Sequence, residues 1–156
     1  MEERHITQIT PASPHAHLLD SLSANEFAVE IDGQRAPGIL SVSGLVSFKL
    51  DIKPALTKLV REPFKIGKLV QRDANLPFNQ WIRETVSARE DIVRPLRQLA
   101  IIALDDGTET RRWIVRNCWI AEIAYSDFDT GSSTLVSETL TIHYDEIDEV
   151  WSWSER

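Results

Sequence analysis

Leu40-Ser41-Val42-Ser43-Gly44-Leu45-Val46-Ser47-Phe48-Lys49-Leu50-Asp51-Ile52 is the stretch on which the fold turns. Leu40, Val42, Val46, Phe48, Leu50 and Ile52 share one parity, with Gly44 in the same register. Ser41, Ser43, Ser47, Lys49 and Asp51 occupy the other. A period of two held for about thirteen residues, roughly twice the usual strand length, predicts a long strand with one buried face. The other face is then wet or shared with a neighbour, and Gly44 marks a bulge or bend.

Upstream, Phe27, Val29 and Ile31 alternate with Ala28 and Glu30, and Asp32-Gly33 supplies a turn. Downstream, Pro54 closes the long strand, residues 55–63 read as a loop, and residues 64–71 return as the second arm of a long hairpin. One helix is predicted. Asn75 is a fitting cap, Pro77 suits the first turn, and Phe78, Trp81, Ile82 and Thr85 follow at helical spacing to about Ala88. Strands resume over residues 96–104, turn at Asp105-Asp106-Gly107, and return over 109–117. Further strands are predicted over 118–125 and 135–144, the latter with Val136, Leu140, Ile142 and Tyr144 on one face. The expected fold is mainly β: an antiparallel β-sandwich or barrel with one flanking α-helix and a long β-hairpin.

Three regions are expected: an extended N-terminal arm over residues 1–24, a β domain over 25–145, and an acidic, Trp-containing tail over 146–156. The formal net charge of −7 argues against gripping nucleic acid phosphates, and suits a surface past which a polyanion slides without sticking. A single cysteine, Cys118, excludes an internal disulfide and any Cys-based zinc site. Nothing approaches the roughly 20 apolar residues that span a bilayer. The start Met1-Glu2-Glu3-Arg4-His5 does not read as a signal peptide, so assembly in the cytoplasm is expected.

No catalytic, cofactor-binding or metal-binding residue is expected. His15 and His17 lie one residue apart in the arm, where a metal site is the weaker reading. Asp105, Asp106 and Glu109 sit at a hairpin tip, so a solvated turn outweighs acid–base chemistry. Asp127 and Asp129 lack the remaining ligands of a calcium loop, and Glu146, Asp148 and Glu149 read as a solvated surface. Trp81, Trp113 and Trp119 are expected in the core, whereas Trp151 and Trp153 favour an interface.

The order of these features resembles the phage tail tube family, which includes the inner tubes of contractile injection systems and, more distantly, the type VI secretion tube. The resemblance covers residues 25 to about 145 and rests on five pieces in family order. They are Phe27-Ala28-Val29-Glu30-Ile31-Asp32-Gly33, then Val42-Ser43-Gly44-Leu45, then Phe78-Asn79-Gln80-Trp81-Ile82. The hairpin from Ile101 through Gly107 to Trp119 is the fourth, and Val136-Ser137-Glu138-Thr139-Leu140-Thr141-Ile142-His143 is the last. Two departures stand out: Arg72-Asp73 where the family has Arg-Gly, and Tyr144-Asp145-Glu146 where it has an acidic residue and glycine after the histidine.

The resemblance implies a structural subunit, not an enzyme, and no cofactor. Six copies would close a ring, and rings would stack into an inner tube of a contractile phage tail or injection particle. Its partners would be itself, sheath and baseplate proteins, and protein or DNA cargo in the lumen. Exposed strand edges, a liability in a monomer, would serve assembly there. Ser41, Ser43, Ser47, Lys49, Thr139, Thr141 and His143 would face the lumen. Leu56, Leu59, Val60 and Arg61 would lie between rings, or else cover the barrel end. Two alternatives stay open: a specialised paralogue forming a baseplate-proximal or cap ring, and a monomeric β-barrel that binds a ligand in its mouth.

Overall fold

Gly44, at φ +74°, ends the strand that the alternation over residues 40–52 predicts to continue. The computed structural model describes residues 20–152. Most of the expected arm lies outside these residues, as do His15, His17 and Trp153. The elements are β1 (Phe27–Ile31), β2 (Gln34–Arg35), β3 (Ile39–Ser43), β4 (Leu50–Lys53), β5 (Leu56–Leu59), β6 (Phe64–Leu69), α1 (Pro77–Ala88), β7 (Arg97–Asp105), β8 (Thr108–Tyr125), β9 (Ser137–His143) and β10 (Glu146–Trp151). The molecule is mainly β, every strand pair is antiparallel, and α1 is the one helix among the described residues.

Two predicted turns hold. Asp32-Gly33 and Asp106-Gly107 all have positive φ, the type I′ geometry that matches strand twist. They close β1 onto β2 and β7 onto β8. The predicted long hairpin also holds in outline, because β3 pairs with β6. Its outer part departs from expectation. Residues 55–63 were expected as a loop, but Leu56–Leu59 is a strand that pairs with β4 around Pro54-Ala55. The predicted thirteen-residue strand is therefore two strands, and the expectation of one continuous buried face fails at Gly44 and already at Leu40, which the bulge between Ile39 and Ser41 leaves exposed. Val42 and Leu45 pack against the core, while Phe48, Leu50 and Ile52 are exposed.

The strands predicted separately over 109–117 and 118–125 form one strand of 18 residues. Asn117 takes φ +55° and absorbs the irregularity, so the chain bends without leaving the sheet. The first half of β8 lies between β7 and β10, and its second half pairs with β9. Through β8 a sheet β2-β1-β7 continues into β9-β6-β3. Residues 146–151, expected in the tail, add the edge strand β10.

The core joins both halves. Val29 and Ile31 of β1, Leu99 and Ile101 of β7, and Val115 and Cys118 of β8 meet Phe64, Ile66, Leu140 and Ile142. Phe78 and Trp81 complete it from α1, with ring centroids 5.8 Å apart. The Trp81 indole Nε1–H donates to the Pro95 carbonyl at 3.0 Å, which ties the helix to the strand that follows. Helix bounds agree with the sequence, but the cap does not. Leu76 occupies the N-cap position with no side-chain cap, while Asn75 donates its backbone N–H to Asp73 Oδ1 at 2.9 Å. Pro77 removes one of the unpaired donors at that end, which lessens the need for a cap. Trp113 and Trp119, expected in the core with Trp81, are half-buried.

Candidate assembly surfaces

The outer face of β3, β6, β9 and the second half of β8 carries small and hydroxylated side chains, with Lys65, Glu122 and His143 among them. Directly opposite residues in antiparallel strands share a face. Ser41 lies opposite Gly67, which lies opposite Thr139, which lies opposite Ala124. One step along, Ser43, Lys65, Thr141 and Glu122 form the next row. His143 ends the face and stacks on Trp119, with ring centroids 4.7 Å apart and planes 15° from parallel. A Cβ on Gly67 would come within 2.6 Å of Ser41 Oγ, so glycine leaves room for the hydroxyl row to lie flat.

The structure thus brings together five of the seven residues expected on a lumen wall: Ser41, Ser43, Thr139, Thr141 and His143. The break at Gly44 separates the other two. Ser47 Oγ donates to Glu149 on β10, and Lys49 Nζ pairs with Glu62 at 2.7 Å. The bond to Glu62 holds the Lys49 ammonium above its usual range, and the separate bond from Ser47 holds the Glu149 carboxyl below its own.

Beyond Gly44 the β4–β5 hairpin stands apart from the main sheet. It pairs only within itself, Leu50 with Leu59 and Lys53 with Leu56, and Val60 N–H extends the ladder to the Lys49 carbonyl at 2.8 Å. Phe48, Leu50, Ile52, Leu56 and Leu59 are all exposed, with Ile52 at 73%. An isolated two-stranded hairpin is marginal in water, and one coated in leucine and isoleucine is more unfavourable still. Of the four residues expected between rings, Leu56 and Leu59 are therefore exposed and Val60 is half-buried. Arg61 folds back, its Nε–H donating to the Asp145 carbonyl.

Three features escaped sequence reading. Lys68 is fully buried and pairs with Glu138 at 2.7 Å, with Asn79 Oδ1 of α1 at 3.5 Å and the Leu69 carbonyl at 2.9 Å. The signal was present: Lys68 and Glu138 fall on the parities of Phe64-Ile66 and Leu140-Ile142. Arg112 grips Glu109 with two hydrogen bonds, at 2.9 and 2.8 Å, and Glu30 with a third. This clamp lowers the Glu109 carboxyl to about 2. The Arg111 guanidinium lies 3.5 Å from the centre of the exposed Trp151 ring. Burial pushes the Cys118 thiol up to about 12, as befits a core residue.

Among the described residues no three His, Cys, Asp or Glu side chains gather as metal ligands would. An open groove of about 530 Å³ lies between Ile92, Val93, Leu96 and Trp119.

Several solved structures share this fold. The anti-feeding prophage tube-terminating cap superposes with a TM-score of 0.66 at 18% identity, covering 81% of this chain and 89% of that one. A chain of the sheath–tube complex of the extracellular contractile injection system PVC gives 0.65 at 14% identity, covering 91% and 99%. Hcp1 from Flavobacterium johnsoniae gives 0.52 at 12% identity, covering 80% and 94%. No curated protein matches the chain by sequence. Residues 61–148, more than half of the chain, match the T4-like virus tail tube protein gp19 family, and the chain belongs to that family.

Proposed function

We propose that this protein is a structural, non-enzymatic subunit of the inner tube of a contractile injection system or contractile phage tail. Copies close into hexameric rings, and rings stack around a lumen through which protein or DNA cargo passes. The observation that carries this reading is the apolar β4–β5 hairpin, left without a partner on a chain of the tail tube family. Leu56 and Leu59, with Val60 and Arg61 at the base, lie in the contact between rings. The face bearing Ser41, Ser43, Thr139, Thr141 and His143 lines the channel, where short hydroxyl side chains offer cargo little to hold. Sheath and baseplate proteins meet the outside and the end of the tube, and assembly takes place in the cytoplasm.

Tube-ending proteins with this fold support a second reading, in which the chain forms a capping or initiating ring in place of the repeated tube. Negative-stain electron microscopy of the concentrated protein tests both. Stacked tubes with a central hole are expected of a repeated subunit, and single rings that do not stack of a cap. Monomers at every concentration contradict both and favour a monomeric binding module.

A further inference from the structure

β10 carries Trp151 on the same face as the core, one row past the point where the core ends. Antiparallel register sets Phe27 opposite Ala103, Ala103 opposite Arg111, and Arg111 opposite Trp151, so the four share a face. The next row inward is Val29, Ile101, Trp113 and Glu149, of which Val29 and Ile101 belong to the core. Phe27 and Trp113 still pack against that core, but Trp151 is 62% exposed. The Arg111 guanidinium takes one face of its ring, 3.5 Å from the centre. The exposure leaves the other face uncovered among the described residues.

Single exposed apolar residues are common, so this ring matters only because something stands ready to cover it. The chain's own arm does. Residues 1–19 precede the described residues, and the chain joins β1 at the Phe27 end of this row. Glu26 fixes the approach: its carbonyl accepts from Leu104 N–H at 3.1 Å, and its Oε1 from Asp106 N–H at 2.7 Å. The Glu26 N–H donates to the Ser23 carbonyl at 3.1 Å, closing a turn that reverses the chain. From β1 through β7 and β8 to β10 the row crosses three strand spacings, about 14 Å. From Ser23 back to Leu19 is four residues, which extended reach about 14 Å. Leu18-Leu19 is the one adjacent pair of large apolar residues in the arm, and it falls at that distance. Tethered so closely, the pair meets the ring at the high effective concentration of a short loop, against which a second copy competes poorly.

We propose that Leu18 and Leu19 close over the Trp151 ring of their own chain, on the face opposite Arg111. The ring is then held between a guanidinium and two leucines, and the two ends of the chain clasp each other across the sheet. The contact is independent of the assembly reading: it forms alike in a repeated tube subunit, a cap or a monomer.

A bimane dye, which a tryptophan in contact quenches, tests it. Placed at His17→Cys in the full-length protein, the dye is expected to be quenched, and Trp151→Phe to relieve the quenching. Cys118 stays unlabelled, its buried thiol pushed up to about 12. Leu18→Asp with Leu19→Asp is expected to relieve the quenching as fully while Trp151 remains. A cooperative thermal transition in each variant shows that a bright dye does not come from an unfolded chain. Quenching that survives either change overturns the proposal, as does a dye bright from the start. A mixed preparation separates own chain from neighbour. His17→Cys/Trp151→Phe co-produced with an excess of the unaltered chain is expected to stay bright. Quenching there means that the arm crosses to another copy, and it overturns the proposal too.

Discussion

Lys68 is the side chain on which the interior depends most. It has no exposed surface, its ammonium meets Glu138, Asn79 and the Leu69 carbonyl, and Glu138 is 4% exposed. Removing one member of a buried pair strands the other charge, at a cost of about 3–5 kcal/mol, whereas replacing both with apolar groups of similar size is often neutral. Glu138→Leu is therefore expected to lower stability by about that amount, and Lys68→Met added to it to recover most of the loss, as urea unfolding midpoints would show. Glu109 acts at acid pH. Its folded carboxyl, held at about 2 by Arg112, lies below the ordinary 4.5. Its contribution is full above pH 4.5 and is lost as pH falls towards 2. In Glu109→Gln, the thermal midpoint should be lower at neutral pH and fall less steeply across that window.

Gly44 decides an element boundary. An added Cβ would meet nothing closer than 3.9 Å, so Gly44→Ala tests backbone strain alone. At φ +74° a non-glycine residue costs about 1–2 kcal/mol. Thermal unfolding of Gly44→Ala should show a loss of that size, and Gly44→Val a larger one. The same residue shows how much of the fold was legible. Alternation over residues 40–52 reports that two faces differ in polarity, but it merges β3 and β4 into one strand. It does not report what covers the apolar face, and beyond Gly44 no other strand among the described residues covers it. The helix was legible to its last residue because Pro77 and the spacing of Phe78, Trp81 and Thr85 are local signals. Its cap was not, since Asn75 turns its backbone towards Asp73. Asn117, where the sequence reading ends one strand and begins the next, takes positive φ at a bend inside β8. Of the seven residues expected on a lumen wall, the five on β3 and β9 share one face, as parity alone predicts. Ser47 and Lys49 do not join them, because parity carries no information across a break. Lys68 and Glu138 sat in plain alternation with apolar neighbours, but sequence does not show that two strands far apart will bring them into contact.

At the scale of the whole molecule, folding and the proposed assembly draw on different residues. The core closes without β4 and β5, none of whose residues enters it. Replacing Ile52 and Leu56 together with aspartate should therefore move the thermal midpoint little, within about 0.5 kcal/mol of stability per position. The same variant should abolish stacking, which sedimentation velocity would detect as loss of the heavy species. The long strand β8 has a mechanical consequence. It spans 18 residues, roughly 60 Å of backbone, and is flanked in turn by β7, β10 and β9. A pull along its axis loads those ladders in shear, with many hydrogen bonds strained at once, whereas a pull across a sheet edge opens them one after another like a zip.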